Sequence, residues 1–161
     1  MESLKGILSE HPFFADLSPQ HLETITGCAK NVRFDAGEYI FKEGEHADEF
    51  YLIRSGKVSA EIYIPNAEPI IIDIVEEGNV FGFSWLFPPY RWHFDARALE
   101  LTRAIAINGE CLRDKEEKDH ELAHVLMGHF AQVMQQLLQA TRLQLIDMYR
   151  NPVKPEKFTT S

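Results

Sequence analysis

A dense group of aromatic side chains surrounds a cationic and a titratable side chain in the middle of the chain. Arg91 and His93 are interleaved with five aromatic residues, which are Trp85, Phe87, Tyr90, Trp92 and Phe94. Such a group can line a pocket for a flat or apolar ligand, with Arg91 and His93 supplying a few polar contacts. It can equally fill the core of a pocket that has lost its ligand, or form an interaction surface.

The sequence offers little support for catalysis or a metal site. His120 and His124 are four residues apart on a predicted helix, with Glu121 between them and His129 beyond. Histidines at this spacing can bind a metal, but no carboxylate completes a convincing ligand set. Ser84 has no evident base, and no paired-carboxylate or phosphate-loop arrangement stands out. An enzyme of the metal-cupin type would need histidines clustered on strands, so we predict a protein that is not an enzyme.

Composition limits the class of protein further. The chain has 161 residues and a net charge of −9, which fits one domain with an appended helix. A pI of about 5.2 argues against nucleic-acid binding, which usually needs a basic face. No apolar run approaches the roughly 18 residues of a membrane span, and the N-terminus lacks a secretory pattern. We predict a cytoplasmic protein without membrane or nucleic-acid partners, in which Cys28 and Cys111 are reduced thiols.

The elements that must position the aromatic group are mostly short strands. Runs rich in Val, Ile, Phe and Tyr alternate with glycines, and the clearest strands are 49–54, 57–64, 70–75, 95–99 and 103–107. Ser55-Gly56 fits a tight hairpin turn, since glycine accepts a positive φ. Strands and turns at this spacing indicate a mainly β domain built as a roll, barrel or sandwich.

Helices are predicted on both sides of the strands. Residues 2–29 have a helical pattern with a start signal at Ser18-Pro19, and Asn108 is expected to cap a short helix. Asp119 is expected to cap a helix of near 30 residues, about 45 Å long. A seven-residue repeat, Met127, Met134, Thr141 and Met148, lies on it. The repeat favours pairing of two copies over a helix folded back on its own domain.

Four stretches resemble the cyclic-nucleotide-binding domain family, which includes bacterial regulators of the catabolite-activator type and the regulatory domains of cyclic-nucleotide kinases and channels. The stretches are 12–18 (PFFADLS), 34–45 (FDAGEYIFKEGE), 48–58 (DEFYLIRSGKV) and 77–82 (EGNVFG). The resemblance extends over roughly residues 4–149. It implies a double-stranded β-roll of the jelly-roll type with flanking helices, followed by a long C-terminal dimerisation helix. The implied parts are a helical segment 1–30, a roll 31–108 with a cassette at 78–98, a hinge and long helix 109–150, and a tail 151–161, which we expect to be disordered.

The phosphate-binding cassette departs from the family pattern. The family's glycine matches Gly82, but Phe83 occupies the position of the glutamate that holds the ribose, and Trp92 that of the arginine that neutralises the phosphate. Arg91 lies one position early, which in an extended segment reverses the face of a side chain, although a shifted backbone could bring it back. Asp95 would place negative charge close to a phosphate. The resemblance implies as ligand contacts Phe81, Gly82, Phe83, Ser84, Trp85, Arg91, Trp92, His93 and Asp95, with Thr141 and Arg142 from the long helix.

These substitutions argue against ordinary binding of cyclic AMP or cyclic GMP. We predict a regulatory module that senses a small-molecule effector and, because the chain stops before a helix-turn-helix domain, signals as a homodimer to a protein partner rather than to DNA. Two alternatives stay open: a ligand-free scaffold that kept the fold, and an atypical cyclic-nucleotide binder. No cofactor is required by the sequence, although a cyclic nucleotide or another effector could occupy the pocket.

Overall fold

The computed structural model describes residues 4–150 and contains eight strands and four α-helices. The order is α1 (Leu4–Glu10), α2 (Pro19–Thr26), β1 (Ala29–Phe34), β2 (Tyr39–Phe41), β3 (Glu49–Ser55), β4 (Lys57–Ile62), β5 (Ile70–Glu76), β6 (Val80–Phe81), a 3-10 helix (Ser84–Leu86), β7 (Asp95–Ala98), β8 (Thr102–Asn108), α3 (Gly109–Lys118) and α4 (His120–Arg150). The chain divides into two compact units, one up to Ala123 and one from His124 onward.

The strands form two antiparallel four-stranded sheets. One has the order β1-β8-β3-β6 and the other β2-β7-β4-β5. The apolar interior includes Phe50, Leu52 and Ile105, which are fully buried. This arrangement confirms the predicted mainly β roll with flanking helices.

The turn between β3 and β4 depends on glycine. Gly56 has a φ of +104°, and a Cβ there would lie 2.5 Å from Oγ1 of Thr102 and 2.7 Å from the carbonyl oxygen of Leu101. Any larger residue would therefore meet both a left-handed backbone and the adjacent β7–β8 connection. The predicted Ser55-Gly56 turn is confirmed.

The N-terminal segment is not one helix, as the sequence pattern had suggested. Pro12 disfavours helical geometry at the preceding residue, so α1 ends before it. The chain turns over 11–17, and α2 begins after Ser18, whose Oγ accepts a hydrogen bond from the N–H of His21 at 3.2 Å. Leu8, Phe14 and Ile25 are buried, so both helices and the turn between them contribute to the apolar core.

The prediction of two reduced thiols is wrong in this structure. Cys28 and Cys111 form a disulfide with Cα atoms 5.6 Å apart, although 83 positions separate them in sequence. The pairing of β1 with β8 places Ala29 opposite Ile107 and brings the two cysteines together, a contact that sequence spacing could not reveal. Closing a loop of this length stabilises the fold by roughly 4 to 5 kcal/mol in the chain-entropy model.

The C-terminal helices begin where the sequence predicted. Asn108 Oδ1 accepts from the N–H of Cys111 at 2.8 Å, and Asp119 Oδ1 from the N–H of Leu122 at 3.1 Å. Helix α4 has 31 residues, about 46 Å. Its exposed apolar residues are Met127, Leu137, Leu138, Leu143, Leu145, Ile146, Met148 and Tyr149. Within 4–150, no helix is long and apolar enough to cross a membrane, and the predicted tail lies outside these residues.

Buried His11 predicts a specific dependence of stability on pH. Its Nδ1 accepts a hydrogen bond from the N–H of Phe13 at 3.2 Å, and burial lowers its pKa to about 4. Because unfolded His11 binds a proton at higher pH than folded His11, the free energy of unfolding falls as the pH drops from 6.5 to about 4. We expect His11→Asn to reduce this loss by roughly 2 kcal/mol in urea unfolding.

The control is His46→Asn, which changes an exposed histidine paired with Asp48. It is expected to leave the pH dependence close to that of the original protein. Equal pH dependences in the His11 variant and the unmodified chain would contradict the assignment.

Candidate functional site

The predicted cassette begins at a left-handed glycine at the end of β6. Gly82 has a φ of +94° and is followed by the single-turn 3-10 helix. Within that turn Trp85 is completely buried and stacks on Phe50, with ring centroids 5.2 Å apart and an interplanar angle of 15°. Phe83 and Ser84 are half-buried at the beginning of the turn. The first half of the cassette is therefore anchored by an indole in the core.

A tight turn then reverses the chain at Tyr90. The N–H of Tyr90 donates to the carbonyl oxygen of Phe87 at 2.9 Å, and the carbonyl oxygen of Tyr90 accepts from Ala47 at 2.7 Å. Tyr90 has a φ of +58°, which costs a residue with a side chain on the order of 1 kcal/mol. The guanidinium of Arg113 lies 4.9 Å from the tyrosine ring and helps to hold this conformation.

Trp92 occupies the space above Gly82. Its indole is 4% exposed and stacks on Phe41 with centroids 3.7 Å apart and planes 7° from parallel. A Cβ on Gly82 would lie 3.0 Å from the indole, so the ring lies directly over this glycine. Its backbone is fixed as well, because the N–H donates to Glu45 O at 3.0 Å and its carbonyl accepts from Gly44 at 2.9 Å.

Further aromatic rings surround the pair formed by Phe41 and Trp92. Phe94 meets Phe41 edge-on at 5.4 Å, and Tyr51 stacks on Phe81 at 5.1 Å. Burial and the adjacent carboxylate of Glu49 raise the pKa of the Tyr51 phenol above its usual range, so the phenol stays neutral. The cassette interior is thus lined by apolar rings, and the Tyr51 hydroxyl donates to Oε1 of Glu49 at 3.4 Å.

Arg91 points away from this aromatic interior. The side chain is exposed, and its Nη1 donates to the carbonyl oxygen of Gly44 at 3.2 Å. The backbone forms an isolated antiparallel bridge between His46 and Arg91, which sets alternate residues on opposite sides. The one-position offset therefore turns Trp92 inward and leaves Arg91 outside in this structure. His93 is exposed too.

Asp95 has a structural contact rather than a place in the aromatic interior. It is 8% exposed, and its Oδ1 accepts from the N–H of Glu43 at 2.8 Å. The register of β4 and β7 places Asp95 opposite Glu61 and Ala60 opposite Ala96, so acidic and small apolar residues lie on opposite faces of the sheet. The carboxylate that the sequence placed near a phosphate anchors the β2–β3 connection instead.

Sequence reasoning missed a buried charged cluster on the same sheet. Glu61 is completely buried, and its Oε2 accepts from the hydroxyl of Ser59 and from Nε and Nη2 of Arg97, each of these two at 3.0 Å. Paired guanidinium and carboxylate groups compensate each other's charge. The sequence did carry a signal for this cluster, because polar and apolar residues alternate along β4 and β7, which pair with each other.

Thr141 and Arg142 lie on α4, in the second unit, and both are exposed. Thr141 Oγ1 donates to the carbonyl oxygen of Leu137 at 2.9 Å within the helix. Among residues 4–150, no group of three or more histidine, cysteine, aspartate or glutamate side chains is arranged to hold a metal ion. Of the predicted site residues, the structure brings together Phe81, Gly82 and Trp92 around Phe41.

Comparisons with known proteins identify the family. The model of the cyclic nucleotide-binding domain matches residues 31–119, more than half of the chain, so the chain belongs to that family. A candidate cyclic nucleotide-binding protein from Geobacter metallireducens has a crystal structure with a TM-score of 0.74 and 33% identity, covering 86% of this chain and 99% of that chain.

Two regulators are similar to the chain at greater distance, one in sequence and one in fold. The CRP-like cAMP-activated global transcriptional regulator of Mycobacterium tuberculosis is 28% identical over 124 residues, which are 74% of this chain and 55% of the regulator. The chain thus matches only about half of that relative's length. The sensor domain of the transcriptional regulator DNR from Pseudomonas aeruginosa shares the fold, with a TM-score of 0.66 and 23% identity over 83% of this chain and 89% of that domain.

The contrast between Trp92 and Arg91 gives a direct prediction. Trp92→Ala removes a buried indole and leaves a cavity, which is expected to lower the free energy of unfolding by about 3 to 5 kcal/mol. Arg91→Ala removes one exposed hydrogen bond and is expected to change it by about 0.5 kcal/mol or less. Urea unfolding of both variants measures the difference, and similar losses would contradict this placement of the two side chains.

Proposed function

We propose that this chain is a regulatory module whose cassette is closed by its own aromatic side chains and does not accept ordinary cyclic nucleotides. The stack of Trp92 on Phe41, directly over Gly82, is the observation that carries this proposal. The family's cassette uses that position for a guanidinium, whose charge and geometry match a phosphate. An indole at that position carries no charge to neutralise a phosphate and occupies the space in which a phosphate would bind.

The energetic cost of opening this cassette is large. Burying a tryptophan removes roughly 150 to 250 Å² from water, which corresponds to about 4 to 6 kcal/mol. A ligand that must displace Trp92 would lose that free energy, so its affinity would be reduced roughly a thousandfold or more. Arg91, which hydrogen-bonds to Gly44 at the surface, offers a cyclic phosphate no compensation in this conformation.

A flat apolar effector is the second candidate, because a partner of that shape could replace the indole. Phe41 lies parallel to the indole, so an aromatic ligand taking the place of Trp92 would recover much of the stacking. This candidate keeps the sensing role and changes only the class of ligand. If no compound displaces Trp92, the protein is a ligand-free scaffold.

The regulatory output is proposed to pass through protein contacts. Helix α4 exposes apolar side chains including Leu138, Leu145 and Met148, and one apolar face of a helix this long favours a second helix as its partner. We propose a homodimer formed by α4, with a further protein receiving the signal. The acidic charge of −9 gives no support to direct contact with nucleic acid.

Calorimetric titration tests the closed cassette. Cyclic AMP and cyclic GMP are each expected to bind the purified chain with a Kd above about 1 mM, because displacement of Trp92 opposes them. The mycobacterial cAMP-activated regulator, titrated in the same buffer, is the positive control. Micromolar binding of either nucleotide by this chain would contradict the proposal. A thermal-shift screen with planar apolar compounds separates the sensor from the scaffold, because a ligand at 100 times its Kd raises the free energy of unfolding by about 2.7 kcal/mol.

Sedimentation equilibrium tests the pairing of two copies. The chain is expected to be a dimer at micromolar concentration, and Leu138→Glu together with Leu145→Glu to convert it to a monomer, since charges within a helix seam are unpaired. Gln132→Glu together with Gln139→Glu is the matched control, because it adds the same two charges to α4 at exposed polar positions with the same seven-residue spacing. A monomeric original protein, or dissociation by the control variant to the same extent, would overturn the proposed seam.

A further inference from the structure

The disulfide fastens the beginning of α3 to the corner between α2 and β1. Cys28 follows directly after α2, and Cys111 lies in the first turn of α3. A main-chain hydrogen bond from Asn108 N–H to the carbonyl oxygen of Cys28, at 2.9 Å, lies beside it. The covalent bond therefore acts at the place where the roll ends and the helical segment begins.

The two cysteine residues differ in exposure. Cys28 is 7% exposed, whereas Cys111 is half-buried and borders an open cavity of about 550 Å³. The cavity is also lined by Asn108, Glu110, Arg113, Asp114 and Glu117. Cys111 is therefore the more accessible of the two residues from this cavity, and Cys28 the more covered.

We propose that the Cys28–Cys111 bond is a thiol–disulfide exchange site that fastens and releases α3. A dithiol reductant attacks Sγ of Cys111 with one thiolate, and a mixed disulfide forms as the Cys28 sulfur leaves as a thiolate and takes up a proton. The second thiol of the reductant loses its proton and attacks the reductant's own sulfur in the mixed disulfide, and Cys111 leaves as a thiolate that takes up a proton. The protein disulfide gains two electrons, and the dithiol is oxidised to its own disulfide. A disulfide oxidant reverses the exchange.

The charges around the cavity set the class of reductant. The lining of the cavity carries three carboxylates, those of Glu110, Asp114 and Glu117, and one guanidinium, that of Arg113. The resulting negative potential repels anionic thiols such as glutathione more than uncharged dithiols, and at 0.1 M salt this repulsion is screened beyond about 10 Å. The site therefore favours an uncharged dithiol over an anionic monothiol.

Release of the disulfide would loosen α3 without removing its other contacts. The N–H of Gly109 donates to the carbonyl oxygen of Asp48 at 2.7 Å, and Leu112 is fully buried. Arg113 connects α3 to the cassette, because its Nη1 donates to the carbonyl oxygen of Trp85 and its guanidinium lies over Tyr90. A change in the freedom of α3 thus reaches the loop that carries Trp92. This inference does not depend on whether the cassette binds a ligand.

Hydrogen exchange on the purified chain tests the release. Dithiothreitol without denaturant is expected to expose two thiols per chain to maleimide and to accelerate amide exchange in 109–118 by at least about tenfold, with 57–76 as an internal control. The double variant Cys28→Ser, Cys111→Ser is expected to exchange like the reduced chain without reductant. The proposal would be overturned if the purified chain lacked the disulfide bond, or if dithiothreitol released no thiols under native conditions. It would also be overturned if thiols were released while amide exchange in 109–118 stayed unchanged.

Reduction rates test the point of attack. Glu110→Gln combined with Asp114→Asn is expected to accelerate reduction by glutathione roughly threefold or more at low salt and to leave the rate with dithiothreitol nearly unchanged. Glu76→Gln, which removes one carboxylate on β5, is the control and is expected to alter neither rate. Equal acceleration with both reductants, or none with glutathione, would contradict attack at Cys111 through the acidic cavity.

Discussion

The stack between the rings of Phe41 and Trp92 constrains the whole cassette. Phe41 lies on β2, which pairs with β7, and Trp92 precedes β7, so two elements of one sheet hold the rings parallel at 3.7 Å. Gly82 is the residue that makes room for the indole, since any Cβ there would press against it. With this stack in place, an indole lies over Gly82 and the exposed guanidinium of Arg91 hydrogen-bonds to Gly44, and the proposed exclusion of a phosphate depends on these two positions.

The remaining contacts of the cassette are consistent with a closed element that responds to its surroundings. Tyr90 is held in a left-handed conformation by backbone hydrogen bonds and by Arg113, which belongs to α3. Helix α3 is in turn fixed by the bond between Cys28 and Cys111. Under the two proposals, displacement of the indole from inside and release of α3 from outside would act on this same loop. Both act on contacts of individual side chains and neither requires the sheets to change.

The sequence was sufficient for the architecture because its signals are local. Strand composition, the Ser55-Gly56 turn and the caps at Asn108 and Asp119 each depend on neighbouring residues, and all are confirmed. The one-residue offset between Arg91 and Trp92 in an extended segment indicated opposite faces for the two side chains, but the sequence left open a backbone shift that would bring Arg91 in. Contacts between distant positions were beyond reach: the disulfide spans 83 positions, and the carboxylate of Glu61 meets Arg97 only through strand register. The sequence pattern did not indicate the break between α1 and α2, because apolar residues on both sides of it resemble one continuous helical pattern.

Fluorine NMR of the chain labelled with 5-fluorotryptophan tests the central claim most directly. The sequence contains two tryptophans, Trp85 and Trp92, and the Trp92→Phe variant assigns their resonances. We expect the Trp92 resonance to show almost no shift between H2O and D2O, because the ring is stacked on Phe41 and buried. We also expect millimolar cyclic AMP to leave this resonance in place. A solvent-sensitive Trp92 resonance, or one that moves as the nucleotide is added, would contradict a cassette closed by its own indole.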